Sequence, residues 1–136
     1  IRQYPEKLIS KTIYSFLKNK KMTIHGRGNS VRHFLSVNDF CDGLIKILDK
    51  GKPSTIYNIA AKKSFYVKDV IKLISKHMNI NLKKNIIFVK DRPFNDKIYK
   101  INCGKIKKLG WQEKEKFELK IPEICDWYKK NLKLFV

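Results

Sequence analysis

The stretch MTIHGRGNSVRHFLSVNDFCDGLIKILDK, Met22 to Lys50, changes hydrophobic period twice, and its reading decides the fold. Thr23 to His25 read as a short strand, and the turn carrying Gly26 and Gly28 ends it. Arg32 to Val37 read as extended. From Val37 to Lys50 the period becomes helical, with Asn38 or Asp39 as the cap and Phe40, Leu44, Ile45 and Leu48 as the face expected to be buried.

The same alternation continues on both sides. Pro5 to Lys20 predict an amphipathic helix: Pro5 and Glu6 sit at its start, Leu8, Ile9, Ile13, Phe16 and Leu17 fall at helical spacing, and lysines gather late. Thr55 to Ala60, TIYNIA, read as a buried strand, Tyr66 to Met78 as a helix, and Asn85 to Lys90 as a further strand. A short helix is expected near Gly104 to Leu109. A last one begins near Pro122, with Ile124, Cys125, Trp127 or Tyr128, and Leu132 facing inward. Strands alternating with helices make the class α/β. With no repeats, low-complexity tracts or linkers, residues 1–136 are expected to form a single unit.

Composition narrows the function classes. A chain of 136 residues with 43% hydrophobic content can bury a real core. No apolar run reaches membrane-spanning length and no signal pattern opens the chain, so a cytoplasmic setting is expected and a membrane is not. Since the sequence opens on Ile1, it is expected to be a processed product or part of something longer. Cys41, Cys103 and Cys125 are too scattered for a zinc site and read as reduced structural thiols, Cys41 and Cys125 in the core and Cys103 at a turn. The net charge of +19 suits a polyanion partner such as nucleic acid. Lysines spread over the polar face of nearly every segment equally suit an ordinary solvated surface.

Dinucleotide, Walker and zinc-protease motifs are all missing, and Tyr14 and Lys18, at Tyr-x-x-x-Lys spacing, lie in a helix whose other features suggest a different role, so neither a catalytic residue nor a metal site is read from the chain. The arginines are more informative. Only Arg2, Arg27, Arg32 and Arg92 occur among 31 basic residues. Arginine gives a planar, two-pronged grip on phosphate or carboxylate that lysine cannot give. With Lys7 near a helix start and glycines around Arg27, they point to a small phosphorylated ligand. Asp91 reads on its own as a turn cap or a partner of Arg92.

Taken in order, QYPEKLI, IHGRGNSVRHFLSVND, IYNIA, DRPFNDKIY, KIKKLGW and DWYKKN resemble the C-terminal portion of the nucleotide-sugar (dTDP-glucose or UDP-glucose) 4,6-dehydratases, within the extended short-chain dehydrogenase/reductases. DRPFND looks more like the UDP-glucose type. The resemblance covers essentially the whole chain. It implies the substrate-binding part of an NAD(P)-binding Rossmann-like fold, with the N-terminal Rossmann half, its NAD loop and its catalytic Tyr/Lys and Asp/Glu absent.

Carried over by position, Lys7 and Leu8 contact the nucleotide-sugar, Thr23, Ile24 and His25 form the strand beside the base, and Arg32 grips the pyrophosphate. Asn58 is a further ligand contact. Asp91, Arg92, Pro93 and Asn95 belong to a loop closing over the diphosphate and nucleoside, with Pro93 presenting Arg92. Ile98 stands where the family has a second arginine, and Ala60 where it has glycine. The function implied by the resemblance is binding and orientation of UDP- or dTDP-glucose for NAD-dependent dehydration to a 4-keto-6-deoxy sugar. NAD would serve the intact enzyme and not this chain alone, which is expected to be inactive. A homodimer is compatible with the family. Two other readings stay open: a basic polyanion- or nucleic-acid-binding module, and a structural partner completing an enzyme made of separate chains.

Overall fold

A computed structural model describes residues 1–94, 96–99 and 101–135. Its helices are α1 (Leu8–Leu17), α2 (Val37–Lys50), α3 (Val67–His77), α4 (Leu82–Asn85), α5 (Gly104–Lys108) and α6 (Phe117–Lys130), with a 3-10 turn at Leu132–Phe135. Its strands are β1 (Met22–His25), β2 (Val31–His33), β3 (Ser64–Tyr66) and β4 (Ile86–Val89). β1 and β4 pair in parallel, Met22 opposite Ile86 and His25 opposite Val89, with α2, α3 and α4 in the intervening chain. β2 and β3 pair antiparallel, Arg32 opposite Phe65.

The main core fills the space between α1, α3, α6 and β1. Ile13 and Phe16, Met22 and Ile24, Val70, Ile71 and Ile74, and Ile121, Cys125 and Tyr128 meet there. In β1 the strand period sends Met22 and Ile24 inward and leaves Thr23 and His25 half-buried. Phe117 stacks on Phe34 at 4.8 Å and leans against Phe65 at the same distance, which joins α6 to the β2–β3 pair. A second apolar cluster holds Ala60, Cys103, Ile106 and Trp111, with Leu35, Ile47, Tyr57 and Ile59 against it.

Several expectations are corrected. α1 begins at Leu8 and not at Pro5, because Lys7 has extended backbone. It ends before Asn19, whose φ of +52° is left-handed. α6 begins at Phe117, so Pro122 lies inside it. The hydrogen bond that Pro122 cannot make would reach Glu118 in the first turn, and burial of Phe117, Ile121, Cys125 and Tyr128 along one face keeps the helix intact. Thr55–Ala60 is not a strand, and the short β3 was not foreseen.

The largest correction concerns α2. Its predicted inner face, Phe40, Leu44, Ile45 and Leu48, is exposed, while Asp39 and Gly43 are buried. The cap is Ser36, whose Oγ accepts from the Asn38 and Asp39 amides. Gly43 permits this seating: a Cβ there would stand 2.9 Å from Ile59 Cδ1 and 3.2 Å from Ile106 Cδ1. Cys41, expected in the core, is exposed, and Cys103, expected at a turn, is buried.

Burial pushes the Cys125 thiol up to about 12, with the Asp126 charge adding to the effect. A thiol whose folded pKa lies above its ordinary value of 9.0 stabilises the fold below that pH, and this stability is lost as pH rises from 9 towards 12. At pH 8, iodoacetamide is therefore expected to modify Cys41 and to leave Cys125 untouched until the chain unfolds. Mass spectrometry of the labelled peptides checks this, and fast labelling of Cys125 in the folded chain would refute it.

Candidate functional site

The start of α1, strand β1, strand β2 with its flanking residues, Val67 and Ile71 of α3, and the loop after β4 converge on one cleft of about 460 Å³. Lys7, Leu8, Thr23, Ile24, His25, Arg32 and Arg92 line it. These are seven of the residues singled out from sequence, drawn from stretches far apart in the chain. Lys7 faces the cleft because α1 starts just after it, and β1 brings Thr23 to His25 along its wall.

The β1 turn explains how the later loop reaches the cleft. Gly26 (φ +58°) and Gly28 (φ +67°) occupy left-handed backbone, and a Cβ on Gly26 would stand 2.9 Å from Asp91 Oδ2. Glycine at 26 thus leaves room for Asp91 to lie against the end of β1, while the Gly26 amide donates to the Val89 carbonyl at 2.9 Å. Asp91 Oδ1 accepts from the Arg92 amide at 2.9 Å, as a turn-capping carboxylate does.

From Asp96 to Tyr99 the loop runs along β2 and is fastened to it. Arg32 Nη1 donates to the carbonyls of Val31 at 2.8 Å and Asp96 at 2.9 Å, and its guanidinium lies 4.6 Å from the centre of the Tyr99 ring. The Val31 amide donates to the Lys97 carbonyl, and Val31 bridges to Ile98. His33 sits between two further carbonyls, Nδ1 at 2.8 Å from Ala61 O and Nε2 at 3.1 Å from Tyr99 O.

The structure does not bring every sequence candidate to the cleft. Asn58 is outside its lining, with Nδ2 donating to the Asn102 carbonyl at 3.1 Å. Asp91 and Pro93 are exposed beside the cleft and not in its wall. Asn95 lies outside the described residues. Ala60 is buried and has no left-handed φ, so this backbone does not require the family's glycine there.

Sequence reading missed Glu6, Lys11, Ser30, His33 and Phe34, which also line the cleft. Lys11 was within reach, since it follows Lys7 by one helical turn and shares its face. The lining carries four permanent cations, Lys7, Lys11, Arg32 and Arg92, against the single carboxylate Glu6. Lys7 bonds to Glu6 at 2.8 Å, and that hydrogen bond, with the lysine's charge, holds the Glu6 carboxyl below its ordinary range. The field in the cleft favours an anion.

A neighbouring cavity of about 360 Å³ shares Gln3, Ile9, His33 and Phe34 but is rimmed by Glu115 and Glu123, both paired to Lys120. The Ser36 hydroxyl, and then Lys120 and Asn38, hold the Glu115 carboxyl below its ordinary range. Two carboxylates at its rim make it a poor seat for phosphate. Among the described residues, no group of three His, Cys, Asp or Glu could hold a metal ion, and no helix is long and apolar enough to cross a membrane.

Residues 1–124 match the family model described as GDP-mannose 4,6 dehydratase. Over 129 residues the chain is 41% identical to the Arabidopsis thaliana trifunctional UDP-glucose 4,6-dehydratase/UDP-4-keto-6-deoxy-D-glucose 3,5-epimerase/UDP-4-keto-L-rhamnose-reductase, covering 95% of this chain and 19% of that one. The Bacillus anthracis dTDP-glucose 4,6-dehydratase, solved in complex with NAD, superposes with a TM-score of 0.88 at 35% identity, covering 96% of this chain and 42% of that one. The Streptomyces venezuelae dTDP-glucose 4,6-dehydratase, solved with NAD bound, gives a TM-score of 0.92 at 25% identity over 98% of this chain and 41% of its own. The chain thus spans about a fifth of its Arabidopsis relative and about two fifths of the bacterial enzymes.

Proposed function

This chain belongs to the nucleotide-sugar 4,6-dehydratases of the short-chain dehydrogenase/reductase superfamily, and we propose that residues 1–136 act as one unit that binds and orients a nucleoside-diphosphate sugar in the cationic cleft. The observation that carries this reading is the convergence of Lys7, Lys11, Arg32 and Arg92 on a cleft walled by β1. Two phosphates need several donors held in fixed relation, and a guanidinium supplies them in a plane. Leu8 and Phe34 give the apolar surface that a base or sugar ring can lie against. UDP-glucose and dTDP-glucose are the two ligands of choice.

NAD does not fit the residues present. The glycine turn after β1 leads into β2, so it offers no helix N-terminus to a dinucleotide pyrophosphate. The dinucleotide would supply hydride chemistry in an intact enzyme, and this chain's own residues contribute binding energy and orientation. Lys7 and Arg92 sit at the cleft as cationic partners for phosphate oxygens. The wall of Thr23, Ile24 and His25 gives the nucleoside a fixed surface.

Calorimetric titration with UDP-glucose and dTDP-glucose at two salt concentrations tests the reading. Saturable binding of at least one of them is expected, weakened about tenfold by Arg92→Ala through loss of a charge-assisted contact. Absence of binding by a chain shown to be folded would overturn it. Steep salt dependence without preference for a diphosphate sugar would point to a polyanion surface instead.

A further inference from the structure

His33 lies in a strand with a neighbour on each edge. On one edge its backbone pairs with Ser64 of β3. Along the other runs the loop after β4, where Val31 bridges to Ile98. The imidazole reaches towards both: Nδ1 lies 2.8 Å from the carbonyl oxygen of Ala61, just before β3, and Nε2 lies 3.1 Å from that of Tyr99 in the loop. A carbonyl oxygen accepts a hydrogen bond and cannot donate one. A neutral imidazole has one N–H and one lone pair, so it bonds to one of these carbonyls and sets its lone pair against the other. With a hydrogen on each nitrogen it donates to both.

We propose that His33 is a positioning residue which, as an imidazolium, clasps the loop after β4 to the body of the fold and thereby sets Arg32 for an anionic ligand. Ala61 supplies the fixed end, being 5% exposed, whereas Tyr99 is 46% exposed and depends on its ties. Tyr99 in turn carries the Arg32 guanidinium 4.6 Å from its ring centre, and Arg32 lines the cationic cleft. Release of the Tyr99 carbonyl therefore loosens the surface on which the guanidinium rests.

His33 lines both the cleft and the neighbouring cavity, so charged groups stand on two sides of it. Towards the cleft are Arg32 of its own strand, Lys7 and Lys11 from α1 and its approach, and Arg92 of the loop, against the carboxylate of Glu6. Towards the other cavity are Glu115 and Glu123 with Lys120. The cations repel a charged ring, and the carboxylates and the two carbonyl dipoles attract it. Once charged, the ring adds to the field that favours an anion in the cleft.

The inference deepens the nucleotide-sugar reading and rests on it for the ligand alone, because the clasp can be observed without one. Nitrogen-15 NMR of the folded, ligand-free chain at neutral pH is expected to show hydrogens on both His33 ring nitrogens. In His33→Ala, amide exchange at residues 97–99 is expected to quicken about tenfold or more, and calorimetry to show UDP-glucose binding about tenfold weaker. His33→Gln, whose longer amide can reach towards Tyr99, should restore more of both than His33→Asn, whose shorter one reaches towards Ala61. Circular dichroism verifies that each variant folds. A ring nitrogen without hydrogen, unchanged exchange in His33→Ala, or better rescue by asparagine than by glutamine would each overturn the proposal. A wild-type chain with the doubly protonated ring and slow exchange that binds no UDP-glucose would sink the nucleotide-sugar reading and leave the clasp standing.

Discussion

Replacing Asp39 with alanine lowers the unfolding free energy by about 3 kcal/mol, the expected cost of stranding two backbone donors that now bond to a carboxylate. Asp39 is 1% exposed, and its two oxygens accept from the amides of Lys114 at 3.1 Å and Glu115 at 3.0 Å. Its own carbonyl accepts from Trp111 Nε1 at 2.8 Å. One residue in the first turn of α2 thereby ties that helix to the chain between α5 and α6. Alanine removes both side-chain acceptors. An asparagine would keep one acceptor oxygen and place an amide NH₂ against a donor, so Asp39→Asn should fall between wild type and alanine. Urea unfolding followed by far-ultraviolet circular dichroism reads the difference. A change under about 0.5 kcal/mol for Asp39→Ala, the range of ordinary surface substitutions, would mean the carboxylate is not a tie.

Arg32→Ala is expected to weaken UDP-glucose binding about 30-fold, which is roughly 2 kcal/mol for a hydrogen bond to a charged group. The side chain lines the cleft and also fastens the loop after β4 through Asp96 and the Tyr99 ring. Two roles in one residue call for a second variant. Lysine at 32 keeps the charge but loses the planar fork and the stacking, so Arg32→Lys should recover less than half of the lost binding energy. Full recovery with lysine would show that charge alone matters. Equal loss in both variants, with unchanged amide exchange at residues 96–99, would assign the effect to direct ligand contact and not to the loop.

Much of the architecture was legible because it is written in local spacing. The strand at β1, the glycine turn after it, and the cores of α1, α3 and β4 follow from hydrophobic period and turn residues, which act over a few positions. Lys7, Arg32 and Arg92 were legible as a group because arginine is scarce in this sequence and the motif order resembles a known family. That the residues converge on one cleft was not in the spacing. It required the parallel pairing of β1 with β4, which carries Arg92 back to the start of α1.

The α2 helix separates the two sources of information. Sequence determined by itself that Val37–Lys50 is an amphipathic helix, because periodicity needs no partner. Which side of that helix is covered was decided only by tertiary structure: Gly43 lets Ile59 and Ile106 close on the polar side, and the acceptors of Asp39 find their donors some 75 residues along the chain. Thr55–Ala60 shows the same limit, since a strand exists only when another strand bonds to it. Local pattern states what a segment can bury or pair; the rest of the fold determines whether anything is there to meet it.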